Sequence, residues 1–224
     1  TAGNAMTSTT VPAGASNIAG SKAIVIEAIA PTVTAFSSST ADGTYAIGAT
    51  VSISATTSEA IQSGNTITVT LDTGATVTLT AASAGTSLLG TYTVAAGQSS
   101  SDLNVSSFTI GTVLDTAGNA MTSTTVPSGA SNIAGAKAIV IEGILPTITA
   151  FSSSTADGTY GIGSTVNISA TASEAIQSGN TITVTLNTGA TVTLTAASAG
   201  TSLTGTYTVA SGQSSSDLTV SSFT

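Results

Sequence analysis

Two stretches decide the fold of this chain: Ile67-Thr68-Val69-Thr70-Leu71 and Thr76-Val77-Thr78-Leu79-Thr80. Apolar and hydroxyl-bearing side chains alternate strictly in both, so each stretch has one apolar face and one polar face when it is extended. This alternation predicts two half-buried β-strands. Gly74, which lies between them, accepts the positive φ of a tight turn.

The same pattern continues on both sides of this pair. Residues 51–55 and 91–94 alternate in the same way, and residues 32–36, which follow Pro31, are predicted to start a module. One strand and turn for roughly every ten residues is typical of a β-sandwich. Residues 6–20 are small and polar and are predicted to form a loop, and no stretch predicts a helix.

The chain is a tandem repeat. Residues 1–109 recur as residues 116–224, and only 13 of the 109 aligned pairs differ. Near-copies in tandem favour an array whose modules pack on their neighbours over a catalytic protein. The repeat predicts a complete module at residues 31–145. Residues 1–30 would carry the C-terminal strand segment of a preceding or donated module, and residues 146–224 would form a module without its last strand.

That last strand is the basis of an assembly hypothesis. Its four residues in the N-terminal segment are Ala23, Ile24, Val25 and Ile26. A module without this strand has an apolar groove and an unpaired sheet edge, which the N-terminal segment of another subunit can fill by strand addition. The result would be a head-to-tail fibre of copies of this chain. The alternative is that the sequence is a window on a longer chain of such modules.

Composition excludes several classes of function. The formal net charge is -8, with two basic residues against ten acidic ones, whereas nucleic-acid binding depends on clustered basic residues. No apolar run approaches the roughly 20 residues of a membrane-spanning helix. The chain has no His and no Cys, so an activated nucleophile would lack its usual base. We therefore expect a protein that is not an enzyme, does not bind nucleic acid and does not span the membrane.

Six stretches together carry a resemblance to a known family. They are Ala41-Asp42-Gly43-Thr44-Tyr45, Ser58-Glu59-Ala60, Gly90-Thr91-Tyr92-Thr93-Val94, Ser101-Asp102-Leu103, Asp115-Thr116-Ala117-Gly118-Asn119-Ala120 and Lys137-Ala138-Ile139-Val140-Ile141. As a set, they resemble the Ig-like, cadherin-like tandem repeats of giant bacterial surface proteins and adhesins. The resemblance implies an all-β fold of tandem Ig-like β-sandwich modules of about 115 residues. It also implies an extracellular location at the bacterial cell surface and a role in a fibre, stalk or sheath, or as the spacer of an adhesin.

Calcium is the cofactor that the resemblance implies, because such repeats often hold it near module junctions, where carboxylate oxygens suit this hard cation. The acidic residues at matching positions are Asp42, Glu59, Asp115, Asp157 and Glu174, together with Glu27 and Glu142 in the linkers. The linker Glu27-Ala28-Ile29-Ala30-Pro31 departs from the family pattern and offers fewer oxygen ligands. Each acid also has a simpler interpretation: Asp42 and Asp157 shape turns before Gly, Asp115 caps a turn with Asn119, and Glu59 and Glu174 solvate a loop.

Overall fold

The computed structural model describes residues 2–3, 5–6 and 8–224, so positions 1, 4 and 7 of the predicted N-terminal segment lie outside the described residues. The chain divides into two compact units, Thr1–Gly143 and Ile144–Thr224. Each unit is built around a curled six-stranded antiparallel sheet, so the structure confirms an all-β protein of tandem β domains. Among the described residues, no helix is long and apolar enough to span a membrane.

The described residues of the first unit form nine strands. They are β1 (Val33–Ser37), β2 (Gly43–Ala46), β3 (Thr50–Ile61), β4 (Thr66–Leu71), β5 (Thr76–Thr80), β6 (Gly85–Thr93), β7 (Ser99–Ser100), β8 (Val105–Ile110) and β9 (Ile139–Glu142). Six of them form one sheet in the order β1-β3-β6-β5-β4-β8, and the other three form a small sheet in the order β2-β9-β7. The core lies on the apolar face of the large sheet and includes residues from both sheets.

The predicted pair of strands is the hairpin β4–β5. Its register pairs Ile67 with Leu79 and Val69 with Val77, and these four side chains are buried. The hydroxyl-bearing residues between them point away from the core and pair across the two strands, which suits β-branched side chains on a wet face. Gly74 makes the turn with a φ of 80°. The alternation therefore determines which face of the hairpin is buried.

The large sheet curls until its two edge strands, β1 and β8, approach each other. Phe36 on β1 and Phe108 on β8 make an edge-to-face contact with their ring centroids 5.5 Å apart. Both rings are buried, with exposed fractions of 1% and 4%. This contact lies at the seam between the two edge strands and stabilises the curl.

The second unit repeats the large sheet. Its strands are β10 (Ile148–Ser152), β11 (Thr165–Ile176), β12 (Thr181–Leu186), β13 (Thr191–Thr195), β14 (Gly200–Thr208) and β15 (Val220–Phe223), in the order β10-β11-β14-β13-β12-β15. Phe151 and Phe223 repeat the contact between the edge strands at 5.5 Å. Residues 158–161 and 214–215, the counterparts of β2 and β7, form no strand. The small sheet of the first unit thus has no equivalent within residues 144–224.

The prediction that the chain has no helix is wrong. A short helix, α1 (Ile18–Ser21), follows a 3₁₀ turn at Gly14–Ser16, and α2 (Ile133–Ala136) follows the same turn at Gly129–Ser131. Asn17 caps α1 by accepting a hydrogen bond from the backbone N–H of Ile18 at 2.7 Å. Residues 23–26 are exposed and pair with no strand among the described residues, so their role as the strand of a preceding or donated module stays a prediction.

Candidate functional site

The strand β9 completes the first unit by main-chain hydrogen bonds along both of its edges. It runs parallel to β2 on one side and antiparallel to β7 on the other. The N–H of Gly43 donates to the carbonyl oxygen of Ala138 at 3.0 Å, and the N–H of Leu103 donates to the carbonyl oxygen of Ile139 at 2.7 Å. Since β2 and β7 are bonded to β9 rather than to each other, β9 is the strand on which the small sheet depends.

The inward side chains of β9 complete the core as well. Ile139 and Ile141 have exposed fractions of 0% and 1%, whereas Val140 between them lies on the opposite face. Burying an isoleucine side chain contributes about 1.5–3 kcal/mol. Lys137, just before the strand, lies 3.9 Å from the carboxylate of Asp42, and Asp42 also accepts a hydrogen bond from the N–H of Ala138 at 3.2 Å. Asp42 thus fixes the start of β9.

Residues 23–27 have the same sequence as residues 138–142, but they are exposed to solvent instead of buried in a sheet. Ile24, Val25 and Ile26 are exposed by 63%, 87% and 84%. They are among the most exposed large apolar side chains in the described part of the chain. Residues 23–27 therefore present an apolar strand sequence to solvent, which is the surface that the assembly hypothesis requires.

The second unit has a groove where the first unit holds β9. A cavity of about 640 Å³ is bordered by residues 156–160 on one side and residues 213–218 on the other, with Val166 and Tyr207 at its base. These are the counterparts of the segments that enclose β9 in the first unit. The apolar side chains that line it are Tyr160, Val166, Tyr207, Val209 and Leu218, among serine, threonine, glycine and aspartate residues. The groove therefore has the location that a β9-type strand requires, with apolar side chains that its inward residues could contact.

Three of the seven predicted calcium ligands meet in the first unit. Carboxylate oxygens of Glu27, Glu59 and Asp115 all lie within 4.8 Å of one another. The side-chain amide of Asn119 donates to Asp115 Oδ2 at 2.7 Å and also to Glu27 Oε2. The amide therefore bridges two carboxylates that would otherwise repel each other.

Asp115 is held in a turn of backbone N–H groups. Its Oδ1 accepts hydrogen bonds from the N–H groups of Ala117, Gly118 and Asn119 at 2.8, 2.6 and 2.8 Å. Burial by itself raises the pKa of Asp115, but the hydrogen bonds that it accepts from Asn119 and Gly118 outweigh it, so the pKa lies below its ordinary value. The turn interpretation of Asp115 is therefore correct, and it is compatible with a role in the cluster through Oδ2.

Glu59 is the cluster member whose charge is least compensated. Its Oε1 is buried and has no hydrogen-bond partner. Burial raises the pKa of Glu59, and the negative charges of Glu27 and Asp115 raise it further. A cation held among the three carboxylates would relieve this repulsion, and rotating the Asn119 amide would add its oxygen as a fourth ligand. The cluster could therefore hold a hard cation.

The other four predicted ligands do not join a cluster of three acids among the described residues. Asp42 pairs with Lys137, and its counterpart Asp157 lies in an exposed turn that borders the groove. Glu142 is exposed at the end of β9. Glu174 occupies the place of Glu59 on β11, and its Oε1 is also buried without a hydrogen-bond partner.

Sequence reasoning paired Asn119 with Asp115 but missed its contact with Glu27, and it missed the structural role of Asn132. Asn119 belongs to the quoted stretch Asp115–Ala120, but only the fold brings it against Glu27, which lies 92 positions away. Asn132 is buried and hydrogen-bonds the backbone of Val105. A sequence signal for Asn132 exists, since Asn after a Gly-Ala-Ser stretch is a helix N-cap candidate.

The comparisons with known proteins do not name the fold. No protein-family model matches the chain. A search of curated protein sequences gave no match.

Proposed function

We propose that this chain is an extracellular structural protein at the bacterial cell surface, which forms a fibre, stalk or sheath from tandem Ig-like modules. One observation carries the proposal: the same strand sequence is buried as the central strand of the small sheet in the first unit and exposed in residues 23–27. The small sheet contributes Ile139 and Ile141 to the same core as the curled large sheet, which is what supports the Ig-like assignment. Assembly rests on strand pairing and packing, and no chemical step is required.

Head-to-tail donation is the assembly that these features favour. Residues 23–27 of one copy would enter the groove of the second unit of another copy, parallel to residues 158–161 and antiparallel to residues 214–215. This register transfers the pairing of β9 with β2 and β7 to the second unit. Lys22 would then lie beside Asp157, as Lys137 lies beside Asp42. The interface is heterologous, so it extends into a filament unless the rotation between successive copies closes a ring.

One position limits the fit. Gly143 follows β9, and a Cβ there would lie 2.5 Å from the carbonyl oxygen of Ala95 and 2.6 Å from that of Gln98. The counterpart in the donor segment is Ala28, so a donated strand must leave the groove by a different path after Glu27. Ala28→Gly is therefore expected to strengthen association, which a lower critical concentration for filament formation would show.

Electron microscopy of the purified chain tests the proposal directly. We expect filaments from the full chain and none from a version without residues 1–30. A matched pair of substitutions distinguishes strand donation from nonspecific hydrophobic association. Ile26→Thr changes an inward position of the donor strand, and Val25→Thr makes a similar change on its outward face. Filaments that are lost in the first variant and kept in the second support donation. Filaments that survive both Ile26→Thr and the truncation would refute it.

A second candidate function is favoured by the acidic cluster. The chain would be the calcium-stabilised spacer of a large adhesin whose binding domain lies elsewhere. Glu27, Glu59 and Asp115 provide the carboxylate oxygens that such a site needs, and calcium affinity in the extracellular range, roughly 0.1–1 mM, is expected of this site. Calcium titration followed by calorimetry tests it, with Asp42→Asn as the control because Asp42 lies outside the cluster.

A further inference from the structure

The segment between β8 and β9 does more in the first unit than connect two strands. Met121, Asn132 and Ile133 are buried, with exposed fractions of 4%, 4% and 0%. Their counterparts Met6 and Ile18 are exposed by 90% and 66%. The difference in burial between the two copies is therefore not limited to β9, but also holds for the residues that precede this strand.

Asn132 links this segment to the edge strand β8. Its Oδ1 accepts a hydrogen bond from the N–H of Val105 at 3.2 Å, and its Nδ2 donates to the carbonyl oxygen of Val105 at 3.0 Å. The amide thus bonds both backbone groups of one residue, as a neighbouring strand would. Because the amide is buried, losing either bond leaves a polar group unsatisfied.

The same segment also reaches the opposite edge of the large sheet. The helix α2 and the 3₁₀ turn before it pack against β1. Since β1 and β8 are the two edge strands, residues 127–136 close the seam between them. The contact between Phe36 and Phe108 lies at this seam, and both rings are buried there.

The seam of the second unit has no such cover within residues 144–224. Phe223, the counterpart of Phe108, is exposed by 47%, against 4% for Phe108. Val220 and Leu218 are partly exposed, whereas their counterparts Val105 and Leu103 are buried. Of these residues, Val105 is the one that the segment 127–136 contacts directly in the first unit, through Asn132.

The free copy of the segment already has the folded conformation. Asn17 Nδ2 donates to the carbonyl oxygen of Pro12 at 2.8 Å, as Asn132 Nδ2 donates to that of Pro127 at 3.1 Å. Asn17 Oδ1 caps α1 in the same way as Asn132 Oδ1 caps α2. A segment that is ordered before binding loses less conformational entropy when it docks.

We propose that the second unit binds residues 12–27 of a second copy at two places, and that Asn17 and Ile18 form a latch across the seam between β10 and β15. Asn17 bonds the backbone of Val220, and Ile18 is buried against β10. The latch rests on the proposed strand donation and adds a second determinant of partner choice to it. Strand pairing depends mainly on main-chain hydrogen bonds and so selects for few side chains, whereas the latch requires an Asn-Ile pair at a fixed distance before the strand.

Peptide binding to the full chain tests the latch. The receiving protein is the full chain with Ile26→Thr, which keeps its second unit intact and blocks its own donation. The probes are fluorescent peptides of residues 12–27, of residues 12–27 with Asn17→Ala, of residues 22–27, and of a scrambled 12–27 sequence. Fluorescence anisotropy measures their affinities, and hydrogen exchange at residues 218–223 reports where they bind.

We expect the 12–27 peptide to bind at least tenfold more tightly than either the shorter or the substituted peptide. The 22–27 peptide lacks the two hydrogen bonds of Asn17 and the buried side chain of Ile18, and the Asn17→Ala peptide lacks the two hydrogen bonds. We also expect the 12–27 peptide to slow exchange at residues 218–223. Equal affinities for all three peptides would overturn the latch and leave strand donation intact. Binding of none of them, or equal binding of the scrambled peptide, would overturn both proposals.

Discussion

The two copies of the strand sequence provide a matched experiment on burial. Ile139→Ala removes a side chain that is 0% exposed in the core of the first unit, whereas Ile24→Ala makes the same change in the same local sequence at a side chain exposed by 63%. Truncating a buried isoleucine to alanine costs about 2–5 kcal/mol, because the transfer free energy is lost and a cavity remains. A surface change of this kind usually stays within about 0.5 kcal/mol.

Urea denaturation followed by circular dichroism measures this difference. With an m-value of about 2 kcal/mol/M for a small domain, Ile139→Ala should lower the midpoint of the first unit by roughly 1–2.5 M. Ile24→Ala should leave the midpoint almost unchanged in dilute protein. The dilution matters, because strand donation would bury Ile24 in an assembled sample and make its substitution costly.

Comparable losses for the two variants in dilute, monomeric protein would refute the reasoning, since they would mean that residues 23–27 are already buried in the monomer. A loss for Ile24→Ala that grows with protein concentration would instead support assembly through this segment. The Val25→Thr variant serves as a reference, because its side chain is exposed by 87% and lies on the outward face.

Four further predictions concern the cluster and the sheet. The pKa of Glu59 is raised above its ordinary value of 4.5, so ionisation of this side chain destabilises the folded state at pH values above 4.5. Glu59→Gln should therefore raise the urea midpoint at pH 7, and this gain should vanish below about pH 4.5. The pKa of Asp115 is lowered, so ionisation of this side chain stabilises the folded state. This stabilisation is present above pH 3.8 and is lost as the pH falls below 3.8, so the loss of stability caused by Asp115→Ala should become smaller in acid. Calcium at several millimolar should raise the melting temperature of the native chain and of Asp42→Asn, but not of Asp115→Ala; an unchanged melting temperature in the native chain would rule out the calcium site. Gly90→Ala should cost about 1–3 kcal/mol because its Cβ would lie 2.6 Å from the carbonyl oxygen of Thr78, while Gly161→Ala, with nothing within 4 Å, should be neutral in the same thermal assay.

Much of the strand structure follows from local patterns. The hairpin β4–β5 is predicted from alternation and one glycine, because burial of one face fixes the side-chain register. The strands β2 and β7 are not predicted, since residues such as Gly43 and Ser99 carry little apolar signal and become strands only beside β9. The acidic cluster was predicted by residue but not as a group, because Glu27 and Asp115 meet only through the fold.

The sequence by itself determined the all-β class, the tandem repeat and the equivalence of each residue with one 115 positions away. Only the tertiary structure decided which of two equivalent segments is a strand. Ile24 and Ile139 stand in the same local sequence, yet one is exposed and the other buried. The physical reason is that a β-strand has no hydrogen bonds of its own: its backbone groups are satisfied only by neighbouring strands, and only β2 and β7 provide them.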